Sequence, residues 1–132
     1  MKILQPEGWP RPKGYSNGVS ARGRMIFTAG VIGWDENESV VSHVFEDQFD
    51  KTLENILAIL AVDGAGPEHI VRLTIYVTDK VEYLSRRDEL AARWKARMGS
   101  HYPAIALVEV QGLLNSAAKV EIEATAVVPE GS

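Results

Sequence analysis

The sequence contains no cysteine, no dense basic cluster and no long apolar run. Without a thiol there is no disulfide framework, no thiolate zinc site and no cysteine nucleophile. The 14 lysines and arginines are outnumbered by 18 aspartates and glutamates, and the net charge of −4 disfavours a nucleic-acid surface. No apolar stretch approaches the ~20 residues of a membrane span, and the first residues lack the apolar core of a signal peptide. We therefore expect a cytoplasmic protein that contacts neither membrane nor nucleic acid.

Histidine is also scarce. His43, His69 and His101 are far apart in the sequence, so no local spacing typical of a metal site exists and no bound metal is expected. The length of 132 residues and the hydrophobic content of 45% are typical of one domain with its own core. We assign residues 1–132 to a single domain, whose residues 1–18 form an extended N-terminal arm rich in proline and glycine.

Hydrophobic periodicity predicts the order β-β-α-β-α-β-β after the arm. The predicted elements are a hairpin of residues 19–22 and 25–32 that turns at Gly23-Arg24, a helix capped by Ser42 that ends at Gly64, a strand at 70–77, a helix at about 81–98, and strands at 104–110 and 119–128. This order predicts an α+β fold in which two helices cover one face of a mixed sheet.

Alternating side chains divide the last two strands into two faces. In the last strand, Glu121, Glu123 and Val127 share the face away from the helices. In the preceding strand we assign the small residues to the helix side, and Ile105 and Leu107 to the open side. An open face with these apolar residues is too hydrophobic to remain in water. We therefore predict oligomerisation through this face, with any pocket at the subunit boundary.

Several short segments, taken together, resemble the reactive-intermediate deaminase family (Rid or YjgF type, also called endoribonuclease L-PSP). They are Pro12-Lys13-Gly14-Tyr15-Ser16, Phe27-Thr28-Ala29-Gly30, Gln48 with Leu53-Glu54-Asn55, Gly64-Ala65-Gly66, Val77-Thr78-Asp79, Tyr102-Pro103-Ala104 and Val120-Glu121-Ile122-Glu123-Ala124. The resemblance covers residues 10–128. It implies a chorismate-mutase-like fold, a homotrimer, and small-molecule clefts between neighbouring subunits. It also implies hydrolysis of enamines and imines of small 2-amino acids to 2-keto acids and ammonia, with no metal or organic cofactor.

The residue after Tyr102-Pro103-Ala104 departs from the family pattern. Imine-hydrolysing members carry an arginine there, which binds the substrate carboxylate in a bidentate manner. This chain has Ile105, which carries no charge and donates no hydrogen bond. The loss of such a pair costs factors of ~10²–10³ in affinity or rate. We therefore predict an altered specificity, with Ile105 and Tyr102 lining a more apolar substrate pocket.

The resemblance also assigns roles to three other residues. Glu121 matches the first glutamate of the family's strand motif beside the cleft, and would handle the attacking water as an acid or base. Its alternative role is a half-exposed strand residue paired with Lys119. Tyr15 either closes over the cleft and hydrogen-bonds the ligand or packs on the sheet. Gly30 either permits a close backbone approach to the ligand or marks a bulge.

Arg87 and Trp34 complete the candidate binding residues. Arg87 lies three residues from both Leu84 and Leu90, which predicts a place on the apolar stripe of the second helix. It occupies the position of a cleft asparagine in many family members. It either replaces the missing cation or, as we expect, extends to solvent or pairs with a carboxylate. Trp34 either lines the ligand site or anchors a subunit contact. His101, beside Tyr102, is expected to be exposed.

Three functions are consistent with this sequence. The first is an enamine or imine deaminase that acts on a reactive metabolic intermediate with altered specificity. The second is a non-catalytic trimer that binds a small molecule. The third is an endoribonuclease, which the net charge of −4 and the lack of a basic stripe disfavour.

Overall fold

The mixed sheet of the predicted fold is present, and the chain has one strand more than the five expected. The computed structural model describes residues 1–131, and Ser132, the last residue of the predicted domain, lies outside them. The elements are β1 (Lys2–Leu4), β2 (Gly18–Ser20), β3 (Arg24–Phe27), α1 (Phe45–Val62), a 3₁₀ turn (Pro67–His69), β4 (Ile70–Val77), α2 (Lys80–Ser85), α3 (Arg87–Met98), β5 (Ala104–Glu109) and β6 (Val120–Val128). No helix among residues 1–131 is both long and apolar enough to cross a bilayer.

Four strands form the main sheet in the order β3-β6-β4-β5. The β4–β5 pair is parallel and the other neighbours are antiparallel. A parallel pair needs a crossover connection, which α2 and α3 supply. The buried residues come from one stripe of each long helix and from alternate positions of β4 and β6. This arrangement confirms the α+β class and the placement of the helices on one face of a mixed sheet.

The predicted hairpin of residues 19–22 and 25–32 is wrong. β2 pairs with β1, and β3 pairs with β6, so the two strands of the expected hairpin belong to different sheets. Gly23 has a φ of +149°, and a β-carbon there would collide with the carbonyl of Val128. The glycine thus serves a close approach to the end of β6 and not a two-residue turn.

The second predicted helix is divided at Arg86, whose φ of −114° and ψ of 19° interrupt the helical path. The buried residues of α3 are Leu90, Trp94 and Met98, whose spacing of four defines its inward face. Arg87, at the first position of α3, is exposed. The prediction that Arg87 lies on the apolar stripe is therefore wrong, because the break changes which residues face the core.

The first helix, of 18 residues, begins later than predicted. Its N-cap position is Val44, and the Ser42 hydroxyl accepts a hydrogen bond from the Val44 N–H at 2.9 Å instead of capping α1. The helix ends at Val62, and Gly64 adopts a φ of +76° just beyond it. The predicted stop at the glycine-rich segment is confirmed.

The assignment of faces in β5 is also wrong. Ile105 pairs with Leu73 and Leu107 pairs with Ile75, and both β4 residues are buried beneath the helices. Ile105 and Leu107 therefore face the helices and pack against the core. Both faces of this strand are apolar, so alternation alone did not distinguish them. The open face is nevertheless hydrophobic, because β3 and β5 expose other residues there: Met25 (58% exposed), Phe27 (66%) and Val108 (42%).

Candidate functional site

Two predicted site residues, Gly30 and Glu121, lie in direct contact. Glu121 projects from the open face of β6, and Gly30 follows β3 at the adjacent edge. A β-carbon added to Gly30 would lie 2.5 Å from Oε2 and 2.8 Å from Cδ of Glu121. Only glycine allows the carboxylate to lie against the backbone in this way.

The contact depends on a β-bulge between β3 and β6. The Thr28 N–H donates to the Ala124 carbonyl at 2.9 Å, whereas Val31 and Ile122 exchange hydrogen bonds of 2.8 and 2.9 Å. Ala29 and Gly30 therefore stand opposite the single residue between Ile122 and Ala124, which defines a bulge. Within residues 1–131, neither the Ala29 nor the Gly30 N–H donates to a backbone carbonyl. The bulge thus leaves two N–H groups without a backbone acceptor in the segment that contacts Glu121.

A second carboxylate and a phenol lie next to Glu121. Glu123 follows on the same face of β6, and the Tyr76 hydroxyl donates to its Oε1 at 2.8 Å. This hydrogen bond, followed by desolvation and the negative charges of Glu123 and Glu121, raises the pKa of Tyr76. We call Gly30, Tyr76, Glu121 and Glu123 the carboxylate cluster. Tyr76 was missed at the sequence level, although its alternate position in β4 places it on the face of both glutamates.

The carboxylate cluster borders a small cavity on the open face. The cavity has a volume of about 240 Å³ and is lined in part by Phe27, Arg72, Thr74 and Glu123. A wider groove of about 800 Å³ opens between the loop before β6 and the segment before α1, and none of the predicted site residues lines it. No group of three potential metal ligands occurs within residues 1–131.

The loop that precedes β6 and Glu121 is held from the helix layer by Gln48. The Gln48 side chain is fully buried, and its Nε2 donates to the carbonyls of Ser42 at 2.8 Å and Ala117 at 3.0 Å. Its Oε1 accepts from the Lys119 N–H at 2.8 Å. These bonds fix the loop that leads into β6, so Gln48 has a structural role close to the carboxylate cluster.

Three other predicted residues, Tyr15, Tyr102 and Ile105, form a separate group that we call the Ile105 corner. Ser16 attaches the N-terminal arm to the start of β5, since its N–H donates to the Pro103 carbonyl at 3.0 Å and its hydroxyl to the Tyr102 carbonyl at 2.5 Å. This attachment brings the half-exposed Tyr15 to the edge of β5.

Aromatic packing stabilises the same corner. Tyr102 stacks on Trp94 with ring centroids 6.0 Å apart, and the Trp94 indole donates to the His101 carbonyl at 3.2 Å. His101 Nε2 lies 2.7 Å from the Ile70 carbonyl, which places the proton of a neutral ring on that nitrogen. The expectation of an exposed His101 is wrong, because the ring joins the start of β4 to the segment before β5.

The two groups do not meet within one chain. Ile105 pairs with Leu73, whereas Glu121 pairs with Tyr76, so they are three residues apart along β4, or roughly 10 Å. They are also two strand spacings apart, again roughly 10 Å, and their side chains face opposite sides of the sheet. One small molecule cannot touch both side chains of the same chain.

The last two candidates lie outside both groups. Arg87 is exposed in the helix layer. Trp34, 36% exposed, belongs to a loop held against α1, where Asn55 Nδ2 donates to the Trp34 carbonyl at 2.8 Å. The structure brings neither residue to the carboxylate cluster of its own chain.

Comparison with known proteins gives concordant matches over nearly the whole chain. The family model for endoribonuclease L-PSP matches residues 10–128. A RutC family protein of Pyrococcus horikoshii is 32% identical over 127 residues, which cover 95% of this chain and 96% of that protein. The 2-iminobutanoate/2-iminopropanoate deaminase of Salmonella typhimurium is 32% identical over 130 residues, or 96% and 97% of the two chains. The solved structure of the Rid-family protein YyfB from Yersinia pestis matches with a TM-score of 0.84 at 28% identity, covering 96% and 98%.

Proposed function

The chain belongs to the endoribonuclease L-PSP family, also called the Rid family, and from this premise we propose that it is an imine or enamine deaminase. The reaction is the hydrolysis of a C=N bond, in which one water converts the imine to a carbonyl compound and ammonia. The observation that carries the proposal is the contact between Gly30 and Glu121 beside unpaired backbone N–H donors. The chemistry asks for no bound cofactor, since a protonated imine is already electrophilic.

In the proposed mechanism Glu121 is the general base. Its carboxylate accepts a proton from water as the water oxygen bonds to the imine carbon, and a carbinolamine forms. The same carboxyl group then returns the proton to nitrogen. As the C–N bond breaks and the C=O bond forms, the Glu121 carboxylate takes the proton of the carbinolamine hydroxyl, and it passes this proton to the departing ammonia, which leaves as ammonium. Positioned acid–base catalysis of this kind contributes ~10²–10⁴-fold in rate. The backbone donors at Ala29 and Gly30 orient polar atoms of the substrate or water.

We also propose that the site is shared between the subunits of a homotrimer. The open face exposes Met25, Phe27 and Val108, which favours its burial against another copy. The carboxylate cluster and the Ile105 corner are separated within one chain, so a site that uses both needs the corner of a neighbouring subunit. Tyr15 and Tyr102 of that corner would then contact the ligand.

The proposed specificity follows from Ile105. Its side chain packs against the core and offers an apolar wall where a carboxylate-binding arginine would stand. We propose that the substrate group facing this wall is apolar or neutral, as in an imine without a carboxylate. Arg87 is the alternative cation, because it is exposed and takes part in no ion pair within residues 1–131. Trp34 would line a site only through a neighbouring subunit.

The test is ammonia release from imines generated in situ. An amino-acid oxidase supplies imines that carry a carboxylate, and an amine oxidase supplies imines that lack one. Semicarbazide traps the imine that escapes the protein. We expect turnover of carboxylate-free imines, a loss of ~10²-fold or more in Glu121→Gln, and no loss in Glu89→Gln, a matched exposed control on α3. Equal rates in wild type and Glu121→Gln would contradict the deaminase proposal.

A binding role is the second candidate, because Ile105 removes a group on which family catalysis depends. A folded protein that turns over neither imine class, yet gains thermal stability from one of the corresponding amines or carbonyl products, would support the binding role. In that case Arg87→Ala, compared with the exposed neighbour Lys95→Ala, would show whether a ligand carboxylate is bound by the helix layer.

A further inference from the structure

We propose that Thr28 is a positioning residue, whose hydroxyl holds the bulge that brings the Gly30 backbone against Glu121. Its effect on catalysis rests on the proposed function, whereas its effect on the bulge is independent of it. Thr28 touches neither glutamate by hydrogen bond; it acts through the backbone of β3 and β6.

One backbone hydrogen bond is missing between Thr28 and Ala124. At each hydrogen-bonded position of a regular antiparallel pair, the two opposed residues exchange both of their N–H···O=C hydrogen bonds. The Thr28 N–H donates to the Ala124 carbonyl at 2.9 Å, but the Ala124 N–H does not donate to the Thr28 carbonyl. It donates to the Thr28 hydroxyl at 3.0 Å. The side chain has therefore taken the place of the backbone acceptor.

The same hydroxyl also fixes the next peptide. Its proton is donated to the Ala29 carbonyl at 2.8 Å, so one side chain accepts from β6 and donates to the bulged segment. A hydroxyl is the group that performs both roles from this position, since it is a donor and an acceptor at once. A methyl group of the same shape performs neither role.

The bulge decides which residue faces Glu121. Without the extra residue, Gly30 would stand opposite Ile122 on the helix side, where Val31 now lies, 7% exposed. With the bulge, Val31 fills the core and Gly30 turns to the open face against the carboxylate. Ala124 is 3% exposed, so water does not readily replace the hydroxyl as acceptor for its N–H. Loss of the hydroxyl would loosen this segment first.

The test compares Thr28→Val, which keeps the shape, with Thr28→Ser, which keeps the hydroxyl. Thr78→Val is the matched control. The Thr78 N–H also donates to a backbone carbonyl next to β6, that of Lys119, but the Thr78 hydroxyl makes no hydrogen bond within residues 1–131. Amide hydrogen exchange is read at Ala124 and Val31, and kcat and KM are read with the best imine. If Thr28→Val does not fold, Thr28→Ala takes its place.

We expect Thr28→Val to raise exchange at Ala124 and Val31 about tenfold more than at α1 amides, and to lower kcat about tenfold with KM little changed. Thr28→Ser should restore both readouts, and Thr78→Val should leave both as in wild type. Wild-type exchange at Ala124 and Val31 in Thr28→Val, or a rise shared equally by all core amides, would overturn the proposal. Failure of the deaminase proposal would appear separately, as equal rates in wild type and Glu121→Gln, while the exchange measurement would still decide the role of Thr28.

Discussion

The carboxylate cluster and the Ile105 corner are built in opposite ways. The first is polar, lies on the open face, and is shaped by a backbone bulge and a buried Gln48. The second is aromatic and apolar, and it is held by the packing of Tyr102 on Trp94 and by the attached arm at Ser16. The difference matters for the proposed function, in which the first group would handle the attacking water and the second would meet the substrate with an apolar side chain. The first three predictions below each disturb one of the two groups while sparing the other, and the fourth spares both.

The largest effect is expected from Gln48→Ala. The truncation leaves the Ser42 and Ala117 carbonyls and the Lys119 N–H without their partner, which should lower the free energy of unfolding by about 3 kcal/mol. Hydrogen exchange should rise in residues 117–121 and remain low at Ala104 and Ile105, which checks that only the carboxylate cluster is loosened. The exposed Gln111→Ala should have no such effect. An equal rise at both groups would show that Gln48 supports the whole sheet.

Gly30→Ala should separate activity from stability. The added methyl group meets the flexible end of Glu121, so the carboxylate moves aside and the fold is retained. We expect deaminase activity to fall about tenfold, since a small displacement of a catalytic group has that order of effect, with the thermal midpoint almost unchanged. Gly112→Ala is the matched control, because a β-carbon there has open space. An unchanged rate would mean that the Gly30 contact does not position Glu121.

Ser16→Ala is the corresponding change at the Ile105 corner. It removes the hydrogen bond to the Tyr102 carbonyl while the backbone bond to Pro103 remains, so we expect a stability loss of about 1 kcal/mol. Proteolysis of the N-terminal arm should become faster, and KM should rise more than kcat falls. The exposed Ser20→Ala is the control. A loss of kcat alone would argue that the arm acts on the carboxylate cluster instead.

The smallest effect is expected from the ion pairs that Arg97 of α3 makes with Asp50 and Glu54 of α1, in which neither group takes part. The Arg97 hydrogen bond lowers the pKa of Asp50, and the Lys51 hydrogen bond lowers that of Glu54. Carboxylates with a lowered folded-state pKa stabilise the fold above their ordinary values of 3.8 and 4.5, and this contribution is lost as the pH falls below those values through the lowered pKa of the folded state.

Because these groups are partly exposed, the contribution is about 1 kcal/mol or less. In thermal melts from pH 6 to pH 3, Arg97→Gln should reduce the acid-induced loss of stability, and the exposed Lys95→Gln should not. Deaminase activity at neutral pH should be the same in both variants. A parallel loss of activity in Arg97→Gln would show that the helix layer is coupled to one of the two groups.

The parts of the fold that the sequence predicts well are those with a single strong period. α1, β4 and β6 have apolar residues at regular spacing on one face, so their existence and inward residues followed directly. The assignment of the two faces of β5 was wrong because both faces are apolar, and the orientation of the strand is decided by its parallel register with β4. The prediction that Arg87 lies on the apolar stripe was wrong because the helix is interrupted at Arg86, where no helix-breaking residue marks the interruption in the sequence.

The candidate site shows the same division. Gly30 and Glu121 were found through motif resemblance, and the structure places them in contact. Thr28 and Tyr76 were missed because their roles depend on a bulge and on a cross-strand neighbour that no local pattern contains. Long-range pairing also explains why β1 was not predicted, since three residues of arm form a strand only against β2.

The measurement that tests the account most directly is the ratio of kcat/KM for a carboxylate-free imine to that for the matching 2-imino acid, in wild type and in Ile105→Arg. The variant should still fold, at a cost of about 2 kcal/mol, because Ile105 is only partly buried. We predict that the wild type prefers the carboxylate-free imine and that Ile105→Arg reverses the preference by about 10²-fold. The same ratio in both proteins would contradict the claim that the Ile105 corner sets the specificity of a site whose chemistry belongs to Glu121.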